Sequence, residues 1–285
     1  MHERTQPAAP VPPILARIRA LAHRKVRDSS GLFWVEGVRQ FVQAFDADYL
    51  FDTIVFSRVL LKSDLSEMLV RRLGARGVRR VAVTPEQFRS VSTTERASGI
   101  GAVVRQRWTP LGDMPVDRPL LVIESLRSAG NLGTILRTAE ATGVGAVVFL
   151  SAACDPFDPA VVRASMGGIF HLSLVRTGHA HFSKWSAARG VTVVGLSPEA
   201  PRLWMELDHA GGPVAVLIGE ERSGLTAAGR ALSTQTVRLP MCGRADSLNV
   251  GVATGVMLYE LVRRQHQSES AAFPPLPCTR GRGSG

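Results

Sequence analysis

Short apolar runs dominate the second half of the chain: LLVIE from Leu120, AVVFL from Ala146, LSLV from Leu172, VTVVGL from Val191, VAVLI from Val214 and VRLP from Val237. Nearly every position in them is apolar, where a strand with one wet face would alternate. Strands of this kind need cover on both faces, which is the situation of a parallel sheet flanked by helices. Gly/Ser corners and helical patterns separate the runs, so this half is predicted to be an α/β domain. With 285 residues, 45% of them hydrophobic, there is material for a sizeable core and for a second domain.

That second domain precedes the first. ILARIRALAHRK places Ile14, Ile18 and Leu21 on one stripe of a helix with arginines opposite, a basic face suited equally to solvent and to RNA. LFWVEGVRQFVQAF reads as a strand that breaks at Gly37 into a helix, and DTIVFS, VRRVAV and IGAVVR as further strands around the helical LSEMLVRRLGARG. Residues 14–105 are therefore expected to form a small α/β unit, behind a flexible 1–13. QRWTPLGDMPVDRP, with its prolines and no periodicity, marks a linker over 106–118. The sheet domain is expected over 119–265, closing with a helix that starts after Ser247, and 266–285 is expected to be a disordered tail.

Charge narrows the partner. The formal net charge is +10, and of the 34 Lys and Arg residues only Lys25, Lys62 and Lys184 are lysine. Guanidinium groups bind phosphate in a multidentate way, so the excess suits a nucleic acid. A GC-rich genome would also inflate arginine, so charge alone is weak evidence. Cys154, Cys242 and Cys278 are odd in number and form no CxxC, which argues against a disulfide framework and a zinc site and for a reducing cytoplasm. No signal-peptide core or spanning apolar run is visible, so neither secretion nor a membrane is expected. His179 and His181 lack a third ligand at metal spacing and read as solvent-exposed, and the tryptophans read as packing residues.

The corners between strands and helices carry the chemistry. SAGNLGTILRTAE follows the first apolar run, yet Gly130 and Gly133 are spaced as GxxG, short of the GxGxxG of a dinucleotide loop. TGVGAVVF has Val148 where a third glycine belongs. No GKS or GKT supplies a phosphate loop, and neither ERSGL nor RASMGG supplies a hydrolase elbow. What remains is Asn131 at the corner and Arg137 farther along the helix, both expected to face the cleft. VLIGEERSGLT adds Gly219 and Glu221, and VRLPMCGRADSLNVGVA adds Ser247 and Asn249, with Ser247 most simply a helix N-cap. Such loops can converge at the C-terminal edge of a parallel sheet, where α/β folds bind ligands.

Taken in order, NLGTILRTAE, IGEERSGL and LPMCGRADSLNVGVA resemble the three motifs of the SpoU/TrmH family of SPOUT-class ribose 2′-O-methyltransferases. GLFWVEGVRQF and ERASGIGAVV are similar to that family's L30e-like substrate-binding domain, so the likeness covers nearly the whole chain. Where the family often has Asp-Pro before Gly-Asn, this chain has Ser128-Ala129. The resemblance implies a parallel-sheet domain closed by a trefoil knot, a homodimer formed through the knot with the active site near that interface, and no metal. It implies S-adenosylmethionine held by Leu196, Gly219, Leu239, Met241, Ser247 and Leu248. It further implies that Asn131 orients the ribose or a phosphate, that Glu221 and Asn249 order the pocket, and that Ser247 bonds near the acceptor. Arg137 is the family's candidate for activating the hydroxyl. As an always-protonated group it is better suited to clamping a phosphate and lowering the hydroxyl's pKa than to acting as a base. Large-subunit 23S ribosomal RNA is the substrate implied, in some members with antibiotic resistance of the avilamycin type. The rivals are a tRNA ribose methyltransferase and a non-catalytic RNA-binding assembly factor.

Overall fold

The computed structural model describes residues 12–207 and 212–272. Its first domain comprises α1 (Pro13–Ala20), α2 (Arg24–Ser30), β1 (Leu32–Glu36), α3 (Val38–Asp46), β2 (Phe51–Phe56), α4 (Asp64–Ala75), β3 (Arg79–Ala82), α5 (Pro85–Arg89) and β4 (Ile100–Arg105). The sheet runs β1-β4-β2-β3, antiparallel except for the β2–β3 pair. Ile14, Ile18 and Leu21 are buried as their stripe requires. The expected single helix is nevertheless two, because the backbone leaves α1 at Leu21 and re-enters at Arg24. The basic face of α1 is engaged within the domain: Arg17 pairs with Asp52 at 2.8 Å, and Arg19 donates to the Ser90 hydroxyl.

The second domain comprises β5 (Leu120–Ile123), α6 (Ala129–Ala141), β6 (Ala146–Phe149), α7 (Pro159–Ala164), β7 (Ser173–Arg176), α8 (His179–Ala188), β8 (Thr192–Leu196), β9 (Arg202–Leu203), β10 (Val214–Ile218), α9 (Ala227–Leu232), β11 (Gln235–Arg238) and α10 (Val250–Ala272). Its strands run β7-β6-β5-β10-β8-β11-β9, and every adjacent pair is parallel. β5, β6 and β10 are buried at every position, as expected of strands covered on both faces. The last helix continues to Ala272, past residue 265 where a disordered tail was expected; before that point Met257, Leu258 and Leu261 bury its inner face. Residues 1–11 and 273–285, Cys278 among them, lie outside the described residues.

Segment 106–118 is no loose tether. The Gln106 amide donates to the carbonyl of Arg27, Trp108 packs on Phe149 and Phe157, and Met114 is buried. Around it the two domains share one apolar core, in which Phe33 and Tyr49 of the first meet Phe157 and Phe170 of the second, Phe33 and Phe157 with centroids 4.7 Å apart. Beside the aromatics, buried Arg27 pairs with Asp155 at 2.7 Å and donates to the carbonyls of Leu21 and Ala22. Aromatic side chains each bring roughly 150–250 Å² of buried surface. An interface built from several of them is a packed core and not a hinge.

Candidate functional site

Three loops meet at the C-terminal edge of the parallel sheet, after β8, β10 and β11, around a cavity of about 340 Å³. That volume falls within the range of small-molecule sites. Leu196, Gly219, Leu239, Met241, Ser247 and Leu248 all line it. Glu221 lines it too, with Glu220, Arg222 and Asp246, which the sequence reading had not singled out.

Gly219 explains how the second loop turns. A Cβ there would fall 2.2 Å from the carbonyl oxygen of Gly224, against which the backbone closes in a tight reversal. Glu220 N–H donates to Gly224 O at 3.1 Å, Gly224 N–H donates back at 3.0 Å, and Gly224 takes φ +64°. Arg127, in the loop between β5 and α6, pairs with Glu220 at 2.7 Å and ties that loop to this one.

Asn131, Glu221 and Asn249, one from each motif, form a single hydrogen-bonded chain. Glu221 accepts from the backbone N–H of Ser128 and Arg127 and, at 3.1 Å, from the Asn131 amide. A carboxylate only accepts, so the Asn131 amide nitrogen must face it and its oxygen must face away. That oxygen accepts from the Asn249 amide at 3.0 Å. Asn249 Oδ1 in turn accepts from the N–H of Gly251 and Val252 at the start of α10. Burial opposes ionisation of Glu221. The bonds from its own backbone N–H, from Asn131, and from Ser128 and Arg127 outweigh it and hold the carboxyl below the usual carboxylate range.

The N-cap of α10 is thus Asn249, where Ser247 was expected; Ser247 lies on the cavity wall before the helix begins. The N-cap of α6 is Ser128, whose hydroxyl accepts from Asn131 N–H. Gly133 sits inside α6 for packing: a Cβ would lie 2.3 Å from that of Ala164 on α7. Because α6 already begins at Ala129, Asn131 and Arg137 are both helical and six positions apart. At about 100° per residue they point roughly 120° away from each other. Within one chain they do not share the cleft, contrary to expectation. Arg137 is exposed, lies outside the cavity, and among the described residues has no carboxylate within ion-pair distance.

A second polar cluster went unrecognised in the sequence. Glu124, 2% exposed, accepts from the Thr226 hydroxyl and N–H and from His179 Nε2 at 2.9 Å. His179 is thereby a partner of a buried carboxylate, where a solvent-exposed residue was expected. Burial opposes ionisation of Glu124, but the Thr226 bonds and His179 prevail and keep its carboxyl low. Thr226 also caps α9. The available signal was a glutamate closing an otherwise apolar run. Among the described residues no group of His, Cys, Asp or Glu could hold a metal, and no helix is long and apolar enough to cross a membrane.

Comparison with known proteins matches this architecture throughout. The model of the SpoU rRNA Methylase family matches residues 118–259, and that of the MRM3-like substrate binding domain matches residues 13–102. An uncharacterized tRNA/rRNA methyltransferase of Synechocystis sp. is 31% identical over 255 residues, covering 89% of this chain and 92% of the relative. The 23S rRNA (uridine(2479)-2′-O)-methyltransferase of Streptomyces viridochromogenes is 30% identical over 263 residues, covering 89% of this chain and 90% of the relative. Among solved structures, the AdoMet-bound rRNA methyltransferase from Sinorhizobium meliloti has a TM-score of 0.81 at 31% identity, covering 89% of this chain and 95% of that one. The SpoU methyltransferase AviRb from Streptomyces viridochromogenes, in complex with AdoMet, has a TM-score of 0.81 at 28% identity, covering 90% and 98%. The chain belongs to the SpoU rRNA methylase family, with the family's parallel-sheet domain joined to an N-terminal substrate-binding domain.

Proposed function

We propose that the protein methylates a ribose 2′-hydroxyl of 23S ribosomal RNA, with S-adenosylmethionine as the methyl donor. The observation that carries this reading is the hydrogen-bonded chain from Glu221 through Asn131 to Asn249 beside the three-loop cavity. The residues present fit the donor: glycine backbone at Gly219 with no room for a side chain, and apolar walls from Leu196, Leu239, Met241 and Leu248. With Ser247 these residues would hold it. When bound, the sulfonium supplies the electrophilic methyl group.

The chain's own residues then have separable tasks. Glu221 fixes the Asn131 amide, and Asn131 orients the ribose or an adjoining phosphate. Asn249 keeps the start of α10 closed beneath the cavity, and Ser247 bonds near the acceptor. Arg137, permanently cationic and, among the described residues, without a carboxylate partner, clamps a phosphate and lowers the hydroxyl's pKa, and a phosphate oxygen or water takes the proton.

A homodimer belongs to this reading. Val252, Val256 and Tyr259 of α10 are exposed on one side of the helix, and an apolar face of this kind marks an interaction site. α10 packs on α6, the helix that carries Arg137, so a second copy on this face would bring Arg137 toward a site made by two chains. The implied trefoil crossing is supported by Arg264 of α10, which donates to the carbonyls of Leu207 and Met205 in the segment between β9 and β10. A cytoplasmic location follows from a ribosomal substrate. Protection against an antibiotic is a finer reading, supported by the likeness to the Streptomyces viridochromogenes protein.

Incubation with labelled methyl donor and unmodified ribosomal subunits, followed by mapping of 2′-O-methyl stops, tests the function. A label at one 23S position is expected. Donor binding with no label in RNA refutes it. For Arg137→Lys, full activity with an unchanged pH–rate profile would contradict a guanidinium-specific clamp.

A further inference from the structure

The stretch from Arg71 to Arg80 holds Arg71, Arg72, Arg76, Arg79 and Arg80 with no Asp or Glu among them. It forms the end of α4 and the start of β3, the edge strand of the first sheet. A helix C-terminus favours one nearby cation, not a cluster of this size. Three other arginines of the same domain are neutralised: Arg17 by Asp52, Arg24 by Asp28, Arg27 by Asp155. Arg58, Arg71, Arg79 and Arg80 are all exposed, and among the described residues none has a carboxylate within ion-pair distance.

Three of these guanidinium groups share a groove. Arg58, Arg71 and Arg80 line a depression of about 340 Å³ whose apolar residues are Phe56, Leu61 and Val70. Glu67 lines it as well, one helical turn from Arg71. Arg80 is laid across α4 at Gly74, where a Cβ would fall 2.3 Å from its Nε and 2.5 Å from its Cζ. Arg72 and Arg76 lie over the ring of Phe45, at 5.3 and 5.9 Å from its centroid. Groups held in place before a ligand arrives lose less freedom on binding it.

We propose that this groove binds the sugar-phosphate backbone of unpaired RNA, with phosphates on Arg58, Arg71 and Arg80 and a base or ribose against Phe56, Leu61 and Val70. Guanidinium groups above an apolar floor match the alternation of charge and flat surface along a single strand. The groove belongs to a different domain from the methyl-transfer cavity and anchors RNA away from the reacting ribose. The inference rests on the reading that the substrate is RNA.

Titration of the full-length protein with a fluorescein-labelled oligouridylate across a range of KCl, read by anisotropy, tests it. The triple variant Arg58→Gln/Arg71→Gln/Arg80→Gln is expected to bind at least about ten-fold more weakly at low salt. Its plot of log affinity against log salt should be shallower by about two, since each phosphate contact on a single strand contributes about 0.7. Glu67→Gln removes the local negative charge and should tighten binding several-fold. Gly74→Ala favours the helix but displaces Arg80, so it should weaken binding without lowering the melting temperature. The matched triple Arg189→Gln/Arg202→Gln/Arg230→Gln, on the second domain, should keep the wild-type slope. The proposal is overturned if the groove triple keeps wild-type affinity and slope, if both triples lose equally, or if wild-type protein that binds S-adenosylmethionine fails to bind the oligouridylate. Calorimetry with S-adenosylmethionine reports separately on the methyl-transfer cavity. Loss there with oligouridylate binding intact refutes the enzymatic reading and leaves the groove standing.

Discussion

Replacing Asn131 by Asp changes one N–H₂ to an oxygen and should convert the bond that joins the first two motifs into a repulsion. The Asn131 amide donates to Glu221 across 3.1 Å. Two full charges at that separation repel by about 5 kcal/mol at an effective dielectric near 20. Both residues are half-buried and Glu221 lines the cavity, so water screens part of this and about 1–3 kcal/mol should remain. In the variant one carboxyl of the pair is raised in the folded state. Its destabilisation is therefore absent below the unfolded carboxylate pKa of about 4 and fully present once pH has risen through the raised value. A chain of this size loses roughly 2–4 °C of melting temperature per kcal/mol. Asn131→Asp should thus melt about 2–12 °C below wild type at pH 8 and approach it at pH 4. Thermal unfolding of both proteins across that range is the assay. An equal deficit at both pH values, or none at either, would refute a direct amide–carboxylate contact.

Other substitutions separate the donor cavity from the frame around it. Gly219→Ala places a methyl against the backbone of Gly224, so the reversal must open; calorimetry should show S-adenosylmethionine affinity reduced at least about ten-fold, with overpacking costing roughly 1–3 kcal/mol of stability. Thr226→Val removes both the hydroxyl bonded to Glu124 and the α9 cap, for a loss of about 2–3 kcal/mol at pH 7. Because the Glu124 carboxyl is held low, the stability it supplies is present above the usual carboxylate range and lost as pH falls through its folded pKa. The gap between Thr226→Val and wild type in urea denaturation should therefore narrow in acid. In a Cys278→Ser background, Ellman's reagent at pH 8 should label exposed Cys242 and spare Cys154, whose thiol burial pushes up to about 11 despite the Leu126 N–H and Arg24. Donor binding should slow labelling of Cys242, which adjoins cavity-lining Met241.

Much of this architecture was legible because local patterns and global burial agree. Unbroken apolar runs announced a doubly covered parallel sheet, and β5, β6 and β10 are buried at every position. The tryptophans pack as expected, Trp34 inside the first domain and Trp108 against Phe149 and Phe157. The prolines of 106–118 did mark the absence of regular secondary structure over most of that segment, but they carry no information about what packs on it. Whether Trp108 lies on solvent or on Phe157 depends on a turn some fifty residues away. The Glu124 cluster was hidden for the same reason. His179 meets a carboxylate brought to it by a strand two positions away in the sheet, and spacing along the chain cannot show that.

Arg137 shows how a small error in one boundary alters a functional argument. Treated as a loop residue before the helix, Asn131 could be aimed anywhere, and Arg137 one turn in could be aimed with it. Ser128 removes that latitude, because its hydroxyl captures the Asn131 N–H and starts the helix before Asn131 is reached. Six helical positions then set the two side chains on different faces whatever their rotamers. Asn131 is committed to Glu221 and Asn249, while Arg137 points outward from a helix packed on α10, whose Val252, Val256 and Tyr259 are also exposed. If both residues serve one reaction, a second copy must supply the missing side of the site. Charged substitution at Val256 should then lower activity through dimer loss while leaving the Glu221–Asn131–Asn249 chain intact. Val256→Glu, followed by sedimentation velocity and methyl-transfer rate, decides it: a variant that remains fully active as a monomer would show that Arg137 needs no partner.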